Sequence, residues 1–159
     1  MNGTKEVQLK MHLKGVPLFC NLNDGQISML SRISVITQFK KGRIIVHQKD
    51  SGDTFYIVVS GRLKVTLLNE DGREIVLSIL TKGDFFGELA LLDNEPRSAN
   101  VIAIEDTGLF LITRAQFYQL METHPHILRK VLKEICARLR HADEKIESLA
   151  FLDVYGRTL

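Results

Sequence analysis

The stretch 86–99 sets Glu88, Arg97 and Ser98 beside Gly87 and a run of small and apolar residues, Leu89-Ala90-Leu91-Leu92. Glycine lets the main chain approach a ligand closely, and the Glu-Leu-Ala-Leu-Leu run after it can form a helical turn. The first turn of a helix carries N–H groups with no partner inside the helix, and its dipole favours an anion. Arg97 adds a two-pronged contact suited to the same anion. Glu88 would repel a phosphate but accepts well from a sugar hydroxyl. Together these residue types suit a ligand carrying both a phosphate and a ribose hydroxyl, as a nucleotide monophosphate does. A simpler alternative pairs Arg97 with Glu88 to hold a turn. It accounts for the charges but not for the accompanying glycine and Pro96-Arg97-Ser98.

The flanking pattern shows which elements must position these residues. Residues 5–34 read as helical, broken into two pieces by Pro17 and by the cluster 21–25. Asp24 is placed to cap the second piece, which presents Ile27, Leu30 and Ile33 on one face. From 35 to 113 the period becomes that of strands. Turn residues cluster at 39–42, 51–53, 60–62, 69–72 and 81–84, about ten residues apart. Between them lie Thr54–Ser60, Leu63–Leu68 and 75–80, rich in β-branched and aromatic residues. Asp71-Gly72 reads as the tip of a hairpin. Leu63 and Val65 read either as part of an apolar wall around the ligand or as ordinary core.

Residues 114–124 return to a helical pattern, and Pro125 restarts the chain into its longest helix. Leu128, Leu132, Ile135, Leu139, Ala142, Ile146 and Leu149 alternate steps of four and three, a heptad seam. From Pro125 to Leu152 such a helix would span about 40 Å. One face can rest on the chain's own domain, but the other needs a second cover. The economical cover is the same helix of a twin subunit, so residues 125–153 are expected to form a parallel homodimer. A helix packed only on its own domain is the alternative.

The pattern F-G-E-x-A-L, a short spacer, then P-R-S-A closely resembles the phosphate-binding cassette of cyclic-nucleotide-binding domains. The resemblance is strongest to the effector domain of bacterial regulators of the Crp/Fnr (catabolite-activator) family. The glycine-bearing turns match that family's β-roll as well, so the likeness spans essentially the whole chain. It implies a mainly β fold with flanking helices: a double-stranded β-helix, or jelly roll, over residues 1–124 followed by a long dimerisation helix at 125–153. It assigns Gly87, Leu89 and Ala90 to backbone contacts near a cyclic phosphate. Arg97 becomes the phosphate's ionic partner, Ser98 a hydroxyl donor to it, and Glu88 the acceptor of the ribose 2′-hydroxyl.

The base-reading positions depart from the family pattern. The family's catabolite activators read adenine with a Thr-Ser pair on the long helix, and the matching positions are Ala142 and Asp143. Ala142 has no polar group, while an ionised Asp143 only accepts. Asp143 can accept from an adenine amino group or take two parallel bonds from guanine. That opens cyclic GMP and cyclic di-GMP beside cyclic AMP. Asp143 and Arg138 also fall at heptad positions that face one another between parallel helices, so an interhelical ion pair is an equal alternative.

Composition narrows the remaining classes. The chain has 159 residues, 45% of them hydrophobic and 25% charged, as expected for one globular domain with an appendage. A net charge of +2 is too small to argue for nucleic-acid binding by itself. Nothing approaches the length of a membrane span or the core of a signal peptide. Cys20 and Cys136 suit a reducing cytoplasm, read as small buried hydrophobes, and are too few for an iron–sulfur cluster. Some β-roll enzymes hold a metal with His-x-His on paired strands. Here His124 and His126 flank Pro125 at a helix junction, so no metal, cofactor or catalysis is expected.

The segment 151–157 resembles the family's hinge, with Asp153 placed to cap the next helix. In the family that helix opens a winged helix-turn-helix, and residues 154–159 would be its start. The chain therefore reads as the ligand-sensing, dimerising part of a longer cytoplasmic transcription regulator. DNA and RNA polymerase are expected partners of the full-length protein only. A regulatory module of a kinase or channel is the alternative from another class.

Overall fold

A computed structural model describes residues 2–158, the side chains at 2, 4 and 154–158 excepted. The chain divides into two compact units, one up to Leu120 and one from Met121 onward.

The first unit opens with helix α1 (Asn2–Lys14), a 3₁₀ turn at Pro17–Phe19 and helix α2 (Asp24–Ile33). Asn23, not Asp24, caps α2. The Asn23 side chain accepts from the Gln26 backbone N–H at 2.8 Å, and the Gln26 side chain accepts from the Asn23 N–H at 2.9 Å. This reciprocal pair places Asp24 one residue inside the helix, where its carboxylate meets Lys14 Nζ at 2.8 Å. The Lys14 ammonium holds the Asp24 carboxyl below the usual range.

Eight strands follow: β1 (Val35–Phe39), β2 (Ile44–Val46), β3 (Thr54–Ser60), β4 (Leu63–Leu68), β5 (Glu74–Leu80), β6 (Phe85–Phe86), β7 (Asn100–Ala103) and β8 (Thr107–Thr113). They make two antiparallel four-stranded sheets, ordered β1-β8-β3-β6 and β2-β7-β4-β5. The predicted strand region thus begins and ends where the period changes, and the jelly roll is borne out. Asp71-Gly72 lies at the tip of the β4–β5 hairpin, where Gly72 N–H donates to the Asn69 carbonyl at 3.0 Å.

The apolar faces of the two sheets meet in a cluster of Val46, Val58, Leu63, Leu80, Phe86, Val101 and Leu109. Leu63 is therefore ordinary core, and Val65 packs half-buried against it. A second aromatic group joins Phe55 to Phe85 and Phe117 at centroid distances of 5.5 and 4.9 Å. Cys20 and Cys136 are exposed, so the expectation of buried thiols fails. Cys20 follows the 3₁₀ turn and Cys136 lies on a wet helix face, two places the hydrophobic character of a thiol could not reveal.

Helix α3 (Glu88–Asp93) sits between β6 and β7, and α4 (Arg114–Thr123) follows β8. The second unit is dominated by α5 (Pro125–Thr158), 34 residues and about 50 Å long. Its backbone stays helical through Asp153, so the cap and break expected there are absent from this structure. The seam residues Leu132, Leu139, Ile146 and Leu149 are 49–66% exposed.

Candidate functional site

The β6–α3 junction turns on Gly87. Its φ of +90° is a left-handed conformation that side-chain-bearing residues rarely adopt. A Cβ there would also lie 2.6 Å from Arg97 Nη1 and 2.8 Å from the Thr54 carbonyl. Glycine thus admits a buried guanidinium beside the chain. No side chain caps the start of α3. Glu88 and Ala90 are buried, while Leu89 faces solvent.

Arg97 reaches this junction from the far end of the cassette. Two backbone bonds strap its own residue to the β2–β3 loop: Arg97 N–H donates to the Asp50 carbonyl at 2.7 Å, and Lys49 N–H donates to the Arg97 carbonyl at 2.9 Å. The side chain is 93% buried. Nη1 donates to the Gly87 carbonyl at 3.1 Å and Nη2 to the Thr54 carbonyl at 2.9 Å. The guanidinium carbon stands 5.8 Å from the centre of the Tyr56 ring, which stacks on Phe86 at 4.6 Å. These two bonds go to neutral carbonyls, and the Glu88 charge acts on the guanidinium beside them.

Burial pulls the Arg97 pKa below its ordinary value. Tyr56, Asp53 and Glu88 oppose that shift, and the nearby Arg114 charge adds to it. Burial likewise pushes the Tyr56 phenol up, against the pull of Arg97. The site therefore holds the Arg97 guanidinium in a poorly hydrated place, where a charge-assisted bond to an anion is strong. Ser98 follows directly and is exposed.

The expected phosphate and ribose residues, Gly87, Glu88, Leu89, Ala90, Arg97 and Ser98, thus share one corner of the first unit. Arg138, Ala142 and Asp143 lie on α5 in the other unit, with Ala142 and Asp143 exposed. Arg138 Nε meets Glu134 Oε1 at 3.3 Å, an ion pair one turn away on the same helix. The sequence reading missed Gly52, Thr54, Tyr56 and Arg114. Gly52 was visible only as a turn residue, and Arg114 carried no signal.

The family model described as "Cyclic nucleotide-binding domain" matches residues 36–124, more than half of the chain. The chain belongs to the cyclic nucleotide-binding domain family. This domain is 31% identical over 145 residues to the cyclic AMP receptor protein of Thermus thermophilus, covering 91% of this chain and 67% of that one. It is 37% identical over 123 residues to the cAMP-activated global transcriptional regulator CRP of Salmonella typhimurium, covering 77% and 59%. Among solved structures it resembles Thermus thermophilus catabolite activator protein, with a TM-score of 0.76 at 31% identity over 85% of this chain and 63% of that one. It also resembles the cAMP-bound regulatory domain of Toxoplasma gondii PKA, with a TM-score of 0.63 at 30% identity over 73% and 44%. The cyclic nucleotide-binding domain thus spans about three-fifths to two-thirds of the length of these bacterial relatives. Among the described residues, no helix is long and apolar enough to cross a membrane, and no group of three His, Cys, Asp or Glu side chains is placed to hold a metal.

Proposed function

We propose that this domain is the ligand sensor of a Crp/Fnr-type transcription regulator, binding cyclic AMP or cyclic GMP at the β6–α3 junction. One observation carries the reading. The buried Arg97 guanidinium uses two of its five N–H donors on carbonyls, and those bonds hold it in a single pose. An equatorial phosphate oxygen is the partner that suits the remaining donors, with Ser98 donating beside them and Glu88 accepting from the ribose 2′-hydroxyl. Gly87, Leu89 and Ala90 supply backbone around the phosphate.

The exposed seam of α5 supports a parallel homodimer through residues 125–153, with Ala142, Asp143 and Arg138 near the base. Ligand would shift the dimer between two arrangements and so control DNA binding and polymerase contact by a cytoplasmic full-length protein. The domain itself performs no catalysis and needs no cofactor beyond its effector. Two other readings have specific support. Ala142 removes one adenine contact and Asp143 matches a guanine edge, which supports a cyclic di-GMP sensor as the alternative. The likeness to the Toxoplasma regulatory domain favours a module attached to a kinase.

Calorimetry with cyclic AMP, cyclic GMP and cyclic di-GMP on the wild type, Arg97→Ala and Glu88→Ala tests the reading. Binding of one nucleotide that both substitutions weaken is expected. Undiminished affinity in both variants would overturn it.

A further inference from the structure

A second, partly buried cation stands beside the first. Arg114, at the start of α4, reaches back across the cassette and binds both of the segments that enclose Arg97. Its Nη2 donates to the Gly52 carbonyl at 2.7 Å and approaches the Ala90 carbonyl at 3.5 Å. Its Nη1 donates to Asn94 Oδ1 at 2.6 Å and approaches the Leu91 carbonyl at 3.4 Å. The Arg114 N–H donates to the Asp53 carbonyl at 2.8 Å, which fixes the base of the side chain. One turn further along α4, the Tyr118 hydroxyl also donates to the Leu91 carbonyl.

The acceptors have a common origin. Ala90 and Leu91 belong to the last turn of the six-residue α3, whose carbonyls have no partner within the helix. Asn94 closes that helix in a left-handed conformation. Gly52 lies on the opposite side, and a Cβ built on it would fall 2.1 Å from Arg97 Nε. A single forked side chain therefore joins the loop on one side of Arg97 to the helix on the other. Lysine has no such fork and could satisfy one segment only.

We propose that Arg114, assisted by Tyr118, is a positioning residue for nucleotide binding, which clamps the Gly52 loop to the end of α3 and so holds the Arg97 site closed before ligand arrives. The inference rests on the nucleotide-binding reading above. The like charges of Arg97 and Arg114 supply a reason for the arrangement, because a bound phosphate relieves their repulsion. Arg114 itself bonds only carbonyl and amide oxygens, so its role is to place the other groups rather than to replace Arg97.

The test compares nucleotide affinity in the wild type, Arg114→Ala, Arg114→Lys and Tyr118→Phe, each measured well below its unfolding midpoint. Arg114→Ala is expected to weaken binding about tenfold or more, the equivalent of one to two good hydrogen bonds. Arg114→Lys should lose nearly as much, because charge without the fork bridges nothing. Tyr118→Phe, the mildest change and the fallback if Arg114→Ala does not fold, should lose a few-fold. Amide hydrogen exchange at 87–94 should quicken in all three variants while that of β3 and β8 stays protected. Wild-type binding with undiminished affinity in the Arg114 variants would overturn the clamp. Full recovery by lysine would reduce it to a charge effect and overturn it too. Absence of nucleotide binding by the wild type would instead overturn the reading on which the clamp rests.

Discussion

Gly52 and Arg97 are in contact so close that glycine is the only residue the contact admits: a Cβ at 52 would lie 2.1 Å from Nε, 2.2 Å from Cζ and 2.6 Å from Nη2. Gly52→Ala should therefore drive the guanidinium out of its pose. The cost in stability is about 1–3 kcal/mol, the usual range for overpacking. The loss of nucleotide affinity should be larger in proportion, since the displaced group is the partner proposed for the phosphate. Thermal unfolding and calorimetry on the same variant read the two separately. Unchanged affinity would place the anion elsewhere.

Lys49 holds φ at +75° while its N–H donates to the Arg97 carbonyl. The left-handed conformation costs an ordinary residue about 1–2 kcal/mol, and glycine avoids most of that while losing some chain entropy. Lys49→Gly should stabilise the domain by about 0.5–1 kcal/mol in denaturant unfolding. A destabilised variant would show that the exposed lysine side chain makes a contribution its geometry does not suggest.

Asn23 and Asp24 offer a sharper comparison. The first forms both bonds of a capping box, and the second makes an exposed ion pair with Lys14. Asn23→Ala should cost about 1 kcal/mol and Asp24→Ala clearly less at neutral pH. The Asp24 carboxyl has a lowered folded pKa. Its small contribution is therefore present above the ordinary carboxylate range and lost as pH falls through the lowered value. Urea midpoints for both variants, at neutral pH and in acid, decide between them.

Burial lowers the Arg97 pKa, but a guanidinium starts so high that it stays protonated through neutrality. A base with a depressed folded pKa alters stability only as pH climbs through that lowered value, and a cyclic phosphate keeps its single charge throughout. Nucleotide affinity should be flat between about pH 6 and 9. Tyr56 has a raised folded pKa. Its contribution to stability is complete below its ordinary value of about 10 and fades as pH rises through the raised one. Calorimetry across the neutral range, and alkaline unfolding of Tyr56→Phe against the wild type, provide the check. Affinity that falls as pH rises through the neutral range would show that a protonated histidine carries the phosphate contact.

Leu139 lies on the α5 seam and is 62% exposed in the single chain. Leu139→Asp removes apolar surface where only a twin helix would cover it. Dimer affinity should fall by about 2 kcal/mol or more, seen by sedimentation over a concentration series. Stability measured on dilute, dissociated protein should barely move. A mass that is monomeric and independent of concentration in the wild type would remove the dimer.

Much of the site was legible because its signals are local. The cassette announces itself through residue types at fixed spacing, and the strands through period two and turn residues ten apart. Each is a property of neighbours in the chain, governed by propensity and backbone sterics. The caps show how that legibility ends. Asn23 and Asp24 are both good N-caps, and the geometry of Gln26 chose between them. Cys20 and Cys136 fail for a related reason, because hydrophobicity does not say which face of an element will be wet.

By itself the sequence determined a β-roll and a helix with an apolar seam, and it pointed to a ligand with a phosphate and a hydroxyl. The surroundings of Arg97 were decided only by tertiary structure. Pairing of Tyr56 with Phe86 between β3 and β6 brings Thr54 and Tyr56 to the guanidinium from more than forty residues away. The chain reversal through β8 then returns Arg114 to Gly52. Such contacts depend on strand register summed over two sheets, and no local pattern encodes that sum.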